Sequence, residues 1–183
     1  VYKRQTVYQL VGWRLRRGED PVVIQRDIPD RLWYDAVPEL LVDVRGEGVD
    51  ELIKKIDKAA KTYPYRNTYS VWPGPNSNTF IAWIGRLVPE LRLDLPPTAI
   101  GKDWLGKTKF FSSTPSGTGY QFSILGLVGI LLAVEEGLEI NILGLNFGID
   151  VLGMNLRLPG IGRLGFPQTI GPRTLLKQNS QQL

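Results

Sequence analysis

YQFSILGLVGILLAVEEGLEINILGLNFGIDVLGMNLRL, residues Tyr120–Leu158, is the stretch that decides the fold class. Apolar residues dominate it, and a glycine interrupts them every few positions. The pattern reads as a glycine-rich antiparallel meander of three segments, Tyr120–Val134, Leu138–Ile149 and Gly153–Leu158. Gly137 would turn the first pair and Asp150–Gly153 the second. Glu139, Asn141, Asn155 and Arg157 alternate with apolar residues, which predicts a sheet with one wet, polar face. The longest apolar run, Phe122–Val134, is closed by Glu135 and Glu136 and falls short of the ~20 residues that a bilayer-spanning helix needs.

Upstream of the meander the period changes from two to 3.6. Val49, Leu52, Ile53, Ile56, Ala59 and Ala60 recur at helical spacing, with lysines on the other side, and Pro64 stops the run. A second amphipathic helix is predicted from Ser77, with Phe80, Ile81, Ile84, Leu87 and Val88 as its buried stripe before Pro89. The first third is strand-rich: Tyr8–Leu15 and Pro21–Arg26 flank a charged glycine turn, and Leu40–Val44 and Tyr69–Trp72 read as short strands. Together these predict an α+β domain.

Composition narrows the chemistry. Of 183 residues 43% are apolar and 22% charged, as in a folded domain rather than a disordered chain. There is no histidine and no cysteine, so these residues contain no Ser-His, Cys-His or zinc site and no disulfide. The net charge of +4 is modest; the early cations Lys3, Arg4, Arg14, Arg16 and Arg17 lack interleaved stacking aromatics, so nucleic acid is not an expected partner. Val1–Gln9 has no apolar core of the kind a secretory leader carries. No cofactor is implied, and no calcium-loop spacing surrounds Asp150, so no metal is expected.

Gly101-Lys102-Asp103-Trp104-Leu105-Gly106-Lys107-Thr108 satisfies the phosphate-loop pattern. That pattern works only when a strand delivers the loop and a helix starts at its end. Here Leu95-Pro96-Pro97 precedes it and Phe110–Gly117 leaves no room for a helix. The stretch is read as a surface loop with two lysines.

Trp72-Pro73-Gly74-Pro75-Asn76-Ser77-Asn78-Thr79-Phe80 is the most unusual string. Asn76 or Ser77 suits a helix N-cap, with Phe80 as the first core residue. Together with Ile28-Pro29-Asp30, Pro38–Leu41, Tyr63-Pro64-Tyr65 and Leu95–Asp103, this string resembles a bacterial family of unknown function, domain-of-unknown-function family 3750, over nearly all of Tyr8–Gly165. The resemblance implies an N-terminal membrane anchor and a His-bearing strand ahead of the residues present here. The chain is therefore expected to be an N-terminally truncated fragment of an envelope-associated bacterial protein, itself soluble. Val1–Gln5 looks like the translated end of a transposon used to prepare sequencing libraries, leaving 6–164 as a single domain and 165–183 as a flexible tail.

A remoter similarity links Asn76–Phe80 to the Asn-Cys-x-x-Phe element of circularly permuted papain-like hydrolases. It implies an incomplete permuted papain-like core, with Ser77 at the nucleophile position, Asn76 and nearby amides as oxyanion donors, and Tyr69, Trp72 and Asn78 along a substrate groove. Ser replaces Cys, and no imidazole is present to take the hydroxyl proton. Three readings follow: a non-catalytic domain of the uncharacterised family; the remnant of a hydrolase or acyl-transfer enzyme using Ser77; or a membrane- or lipid-contacting module resting on the apolar meander.

Overall fold

Helix α1, Val49–Lys61, begins after Gly48 (φ 87°), carries Asp50 and Glu51 in its first turn and Lys58 and Lys61 in its last, and buries Leu52, Ala59 and Ala60. Each charge set complements the nearer end of the helix dipole. The computed structural model describes residues 5–28, 32, 35, 39–166 and 172–175. Helix α2, Ser77–Leu87, packs on α1 through Phe80 and Ile84, and Tyr63 meets Phe80 edge-on at 5.2 Å. The hairpin β1 (Gln5–Leu10) and β2 (Val22–Asp27) closes this core with Leu10 and Val22. Leu87, expected in the buried stripe of α2, is exposed, because the helix is covered on a second side where Ala82 meets Leu93, Leu95 and Ala99.

Three expected strands differ. The first stops at Leu10, and Gly12–Arg17 forms a 3-10 turn instead; the amide of Val11 bonds Pro21 O at 2.8 Å, and Gly12 lies against the Tyr69 ring, where a Cβ would sit 2.7 Å away. Of Leu40–Val44 only Val44 enters a strand: β3 (Val44–Arg45) pairs in parallel with β11 (Arg173–Thr174). Tyr69–Trp72 is not a strand, since the Ser70 amide bonds Pro75 O at 2.8 Å and folds the segment back. The remainder of the expected tail 165–183, beyond Phe166 and apart from 172–175, lies outside the described residues, as do Val1–Arg4.

Seven strands form one antiparallel sheet in simple sequence order: β4 (Phe111–Ser113), β5 (Gly119–Ile124), β6 (Val128–Ala133), β7 (Gly137–Ile142), β8 (Leu145–Asp150), β9 (Asn155–Leu158) and β10 (Gly162–Gly165). The meander is as expected, with two more turns. Leu125 and Gly126 (φ 53° and 69°) split the first expected segment, and Leu143 and Gly144 (φ 54° and 80°) split the second. Both pairs adopt the left-handed geometry that suits tight hairpins, but leucine there carries no sequence cue.

The two faces of the sheet are the reverse of the expectation. Gln121, Ser123, Glu139, Asn141, Asn146, Asp150, Asn155 and Arg157 are buried. Their apolar neighbours form three rows across the strands that point outward: Phe111–Phe122–Ile130–Ile140–Phe147; Tyr120–Leu132–Leu138–Ile149–Leu156–Leu164; and Ile124–Val128–Ile142–Leu145. All but the half-buried Phe122 are exposed, Leu132 by 66%. The polar face can be inward because residues 86–116 supply partners for it. Lys102, expected on the surface, is 1% exposed and ion-paired with Glu139. Arg157, at 0% exposure, bonds Asp94 through both terminal nitrogens at 2.7 Å and Glu139 at 3.0 Å. Asn141 donates to Asp103 at 2.9 Å, and Arg86 Nη2 donates to Gln121 at 2.7 Å. Burial alone would discharge Lys102, but Glu139 and Asp103 hold its pKa above the ordinary lysine value.

Breaking a buried pair leaves an uncompensated charge behind, so removing one partner costs far more than the pair is worth. Glu139→Gln takes from Lys102 its ion-pair partner and from Arg157 one of its carboxylates; it is expected to lower the unfolding free energy by about 3–5 kcal/mol in urea titration. A loss under about 1 kcal/mol would refute the role given to this cluster. Glu136 is also buried and accepts from the Ser116 amide at 2.9 Å and from its hydroxyl. Burial raises its pKa above 4.5, and the Ser116 bonds offset this only in part. The native state then holds the proton more tightly than the unfolded chain, so this group's contribution falls as pH rises from 4.5 through its folded value. Glu136→Gln is expected to be more stable than wild type at pH about 8, with the gap closing as pH falls towards the ordinary glutamate value.

Candidate functional site

The segment from Thr68 to Phe80 is clamped from several directions. Trp72-Pro73 and Gly74-Pro75 are cis peptides. Asn76 is the N-cap of α2: its side-chain oxygen accepts the Thr79 amide at 3.1 Å, and Thr79 Oγ1 accepts the Asn76 amide at 3.0 Å, a complete capping box. Both hydrogens of the Asn76 side-chain amide are also engaged, by Val71 O at 2.9 Å and Ile100 O at 3.0 Å. Thr79 Oγ1 donates to Gly101 O at 2.7 Å, and Asn78 donates to Ile100 O at 2.9 Å. Gly101 must be glycine, with φ 96° and a would-be Cβ only 2.4 Å from the Asn76 side chain. The first residues of the phosphate-loop pattern therefore brace the start of α2. No helix follows Thr108; β4 does.

Ser77, the first residue of α2, is half-buried and opens on a cavity of about 560 Å³ shared with Tyr8, Gln9, Trp13, Tyr69 and Val71. Tyr69 is thus beside Ser77. Trp72 and Asn78 do not line this cavity: Trp72 is half exposed and donates its indole N–H to Leu143 O at 2.8 Å, on the β7–β8 turn. Among the described residues no carboxylate or amine lines the Ser77 cavity. The Tyr8 hydroxyl donates to Asp57 at 3.3 Å, and burial followed by Asp57 raises its pKa, so it is a poor proton acceptor at neutral pH.

A larger cavity, about 740 Å³, lies on the other side of the clamped segment. Its apolar walls include Tyr65, Trp83, Trp104, Leu125 and Leu127; its cations are Arg86, Lys107 and Lys109. Tyr65 stacks edge-on with Trp104 at 4.5 Å and donates to Leu105 O at 3.1 Å. Burial lowers the Arg86 pKa to about 10, with Asp103 and Glu136 opposing the shift, so the guanidinium stays charged at neutral pH. Sequence reading does not find this cavity because its walls come from four separate segments; Tyr65, Pro73–Pro75 and the Gly101–Thr108 pattern each stand out alone, and nothing local joins them to one another or to Leu125 and Leu127.

A protein-family model described as "protein of unknown function (DUF3750)" matches residues 2–104. The chain belongs to this family. The match ends at Trp104, so the family's pattern covers the hairpin, both helices, the clamped segment and the loop that braces it, but not the seven-stranded sheet. No curated protein and no solved structure matches the chain.

Within the family segment, Asn76 and Ser77 are separable by stability. Asn76→Ala removes the cap, leaves Val71 O without its side-chain donor and takes one of two donors from Ile100 O, and is expected to cost about 2–4 kcal/mol. Ser77→Ala, with no cap bond to lose, should fall within about 0.5 kcal/mol of wild type. Equal effects in urea denaturation would contradict the division of labour described for the two residues.

Proposed function

We propose that this domain is a non-catalytic module that docks on a lipid surface through the apolar face of its seven-stranded sheet. One observation carries the reading: the sheet turns its charged and amide side chains inward and its aliphatic side chains outward. The fifteen outward residues, each roughly half exposed, present on the order of 1,000 Å² of apolar surface, against ~300–600 Å² for the largest patch on a typical monomer.

The composition of the face favours lipid over a second copy of the chain. Protein interfaces carry about one hydrogen bond per 100–200 Å² and surround their apolar centre with a polar rim. This face is Val, Ile, Leu and Phe with one Tyr, and every charged side chain of β5–β10 is on the opposite face. Acyl chains need no such pairing. The exposed Lys107 and Lys109 lead into the edge strand β4, and the net charge is +4, which suits an anionic headgroup layer. The free edges of β4 and β10 would leave backbone groups unsatisfied in hydrocarbon. The sheet therefore lies on the surface, inserting side-chain tips rather than backbone. Among the described residues no helix is long and apolar enough to cross a membrane.

A hydrolase reading finds support in the position of Ser77 at the start of α2 beside its own cavity. Among the described residues that cavity offers only hydroxyl, amide and apolar groups, and a serine hydroxyl needs a proton acceptor to attack.

Co-sedimentation with phosphatidylglycerol-rich vesicles at about 0.15 M salt tests the docking reading. Wild type should pellet with the vesicles. Leu132→Glu combined with Ile140→Glu, two solvent-facing changes that spare the buried cluster, should leave the protein in the supernatant with its urea midpoint unchanged. Wild type that stays in the supernatant, or that sediments in an ultracentrifuge as a dimer dissociated by the same pair of changes, would overturn it.

A further inference from the structure

The larger cavity is a separate feature from the sheet face, and its charge is lopsided. Among the described residues three cationic side chains line it, Arg86, Lys107 and Lys109, and no carboxylate does. Among the described residues none of the three is ion-paired. Arg86 spends Nε on Ser113 O at 3.2 Å and Nη2 on Lys102 O and Gln121 Oε1, both at 2.7 Å, which leaves Nη1 without a protein partner. The guanidinium is fixed in place and still charged, with one donor group left over. The molecule pairs its other buried cations thoroughly: Lys102 with Glu139, Arg157 with Asp94 and Glu139. Arg86 is the departure from that rule.

The remaining walls are of the opposite character. Trp83, Trp104 and Tyr65 supply aromatic surface, and Leu105, Leu125 and Leu127 supply aliphatic surface. A volume of about 740 Å³ falls within the range of small-molecule sites, roughly 300–1,000 Å³, which are apolar with a few convergent polar groups. A small anion alone would satisfy the cations and leave the aromatic walls wet. An uncharged apolar molecule would fill the walls and seal Arg86 Nη1 from water without an acceptor, which is costly. One ligand chemistry meets both demands.

We infer that this cavity binds a single-chain anionic amphiphile, its acyl body against Trp83, Trp104 and the β5–β6 turn and its carboxylate or phosphate head against Arg86, Lys107 and Lys109. The phosphate-loop pattern thereby acquires a role: Lys107 and Thr108 reach an anion without a helix behind them, as charge and hydroxyl rather than as a nucleotide cradle. The inference does not rest on the docking of the sheet face.

Tryptophan fluorescence gives a local readout. Replacing Trp13, Trp33 and Trp72 by Phe leaves Trp83 and Trp104 as the only indoles, both on the cavity wall. A dibrominated stearate, added below its micellar concentration, should quench them saturably with one site per chain. Lys107→Ala with Lys109→Ala, two exposed changes that do not threaten folding, should weaken binding by about tenfold or more. A dibrominated stearyl alcohol should bind as weakly to wild type as the stearate does to that variant. A brominated lysophosphatidate distinguishes the head: tighter binding than stearate assigns phosphate, weaker binding assigns carboxylate, and either outcome supports the inference. Absence of quenching, equal binding of acid and alcohol, or displacement of stearate by millimolar inorganic phosphate would overturn it. The Leu132→Glu, Ile140→Glu pair should leave this quenching intact even where it abolishes vesicle binding, so the two readings fail independently.

Discussion

Arg157 and Glu139 hold the molecule together in a way that apolar packing does not. The aliphatic core lies between α1, α2 and the β1–β2 hairpin, and of the sheet's apolar residues only Leu131 is fully buried on the inward side. What attaches the seven-stranded sheet to the rest is a layer of ions and amides: Lys102, Glu139, Arg157, Asp94, Asp103 and Asn141. Charges sealed from water must be paired within narrow geometric limits, and those limits fix the distance and tilt of the sheet against the loop that covers it. Arg163 extends the layer by reaching Asp94 at 2.8 Å from the last strand of the sheet.

That arrangement also explains what could be read from the sequence. Both helices were legible, because a 3.6-residue period with proline or glycine at its ends has one interpretation. The meander was legible as strands, because alternation has one interpretation too. Which face of it would be buried was not. Alternation divides side chains into two sets and does not name the inner one; the usual assumption, apolar in and polar out, fails where another segment supplies counter-charges. Asp94 and Lys102 are 45 and 37 residues from Glu139 in the chain, and nothing local in the sequence links them. The Leu-Gly turns were missed for a simpler reason: a leucine at positive φ contradicts its own preference and is imposed by the ladders on either side.

The clamped segment was legible in part. The string Trp72–Phe80 announced a helix start, and Asn76 is that cap. Its other two hydrogen bonds could not be anticipated: that to Val71 depends on the chain folding back over the two prolines, and that to Ile100 on a loop some two dozen residues away folding under the helix. The same loop carries Lys102 into the ionic layer and Lys107 to the larger cavity. One segment, Ile100–Lys109, thus couples the helix start within the family's pattern to a sheet that the pattern does not cover.

The strand order of the sheet bears on how the protein is made. Every ladder joins neighbours in the chain, so the hairpins close as they emerge, without waiting for a distant strand. The counter-ions for the inner face, Asp94, Lys102 and Asp103, are all translated before the first residue of β5. A ribosome moving from the amino end therefore releases each ionised strand towards a receptor that already exists, and the meander never has to hold bare charges while its partners are still being polymerised.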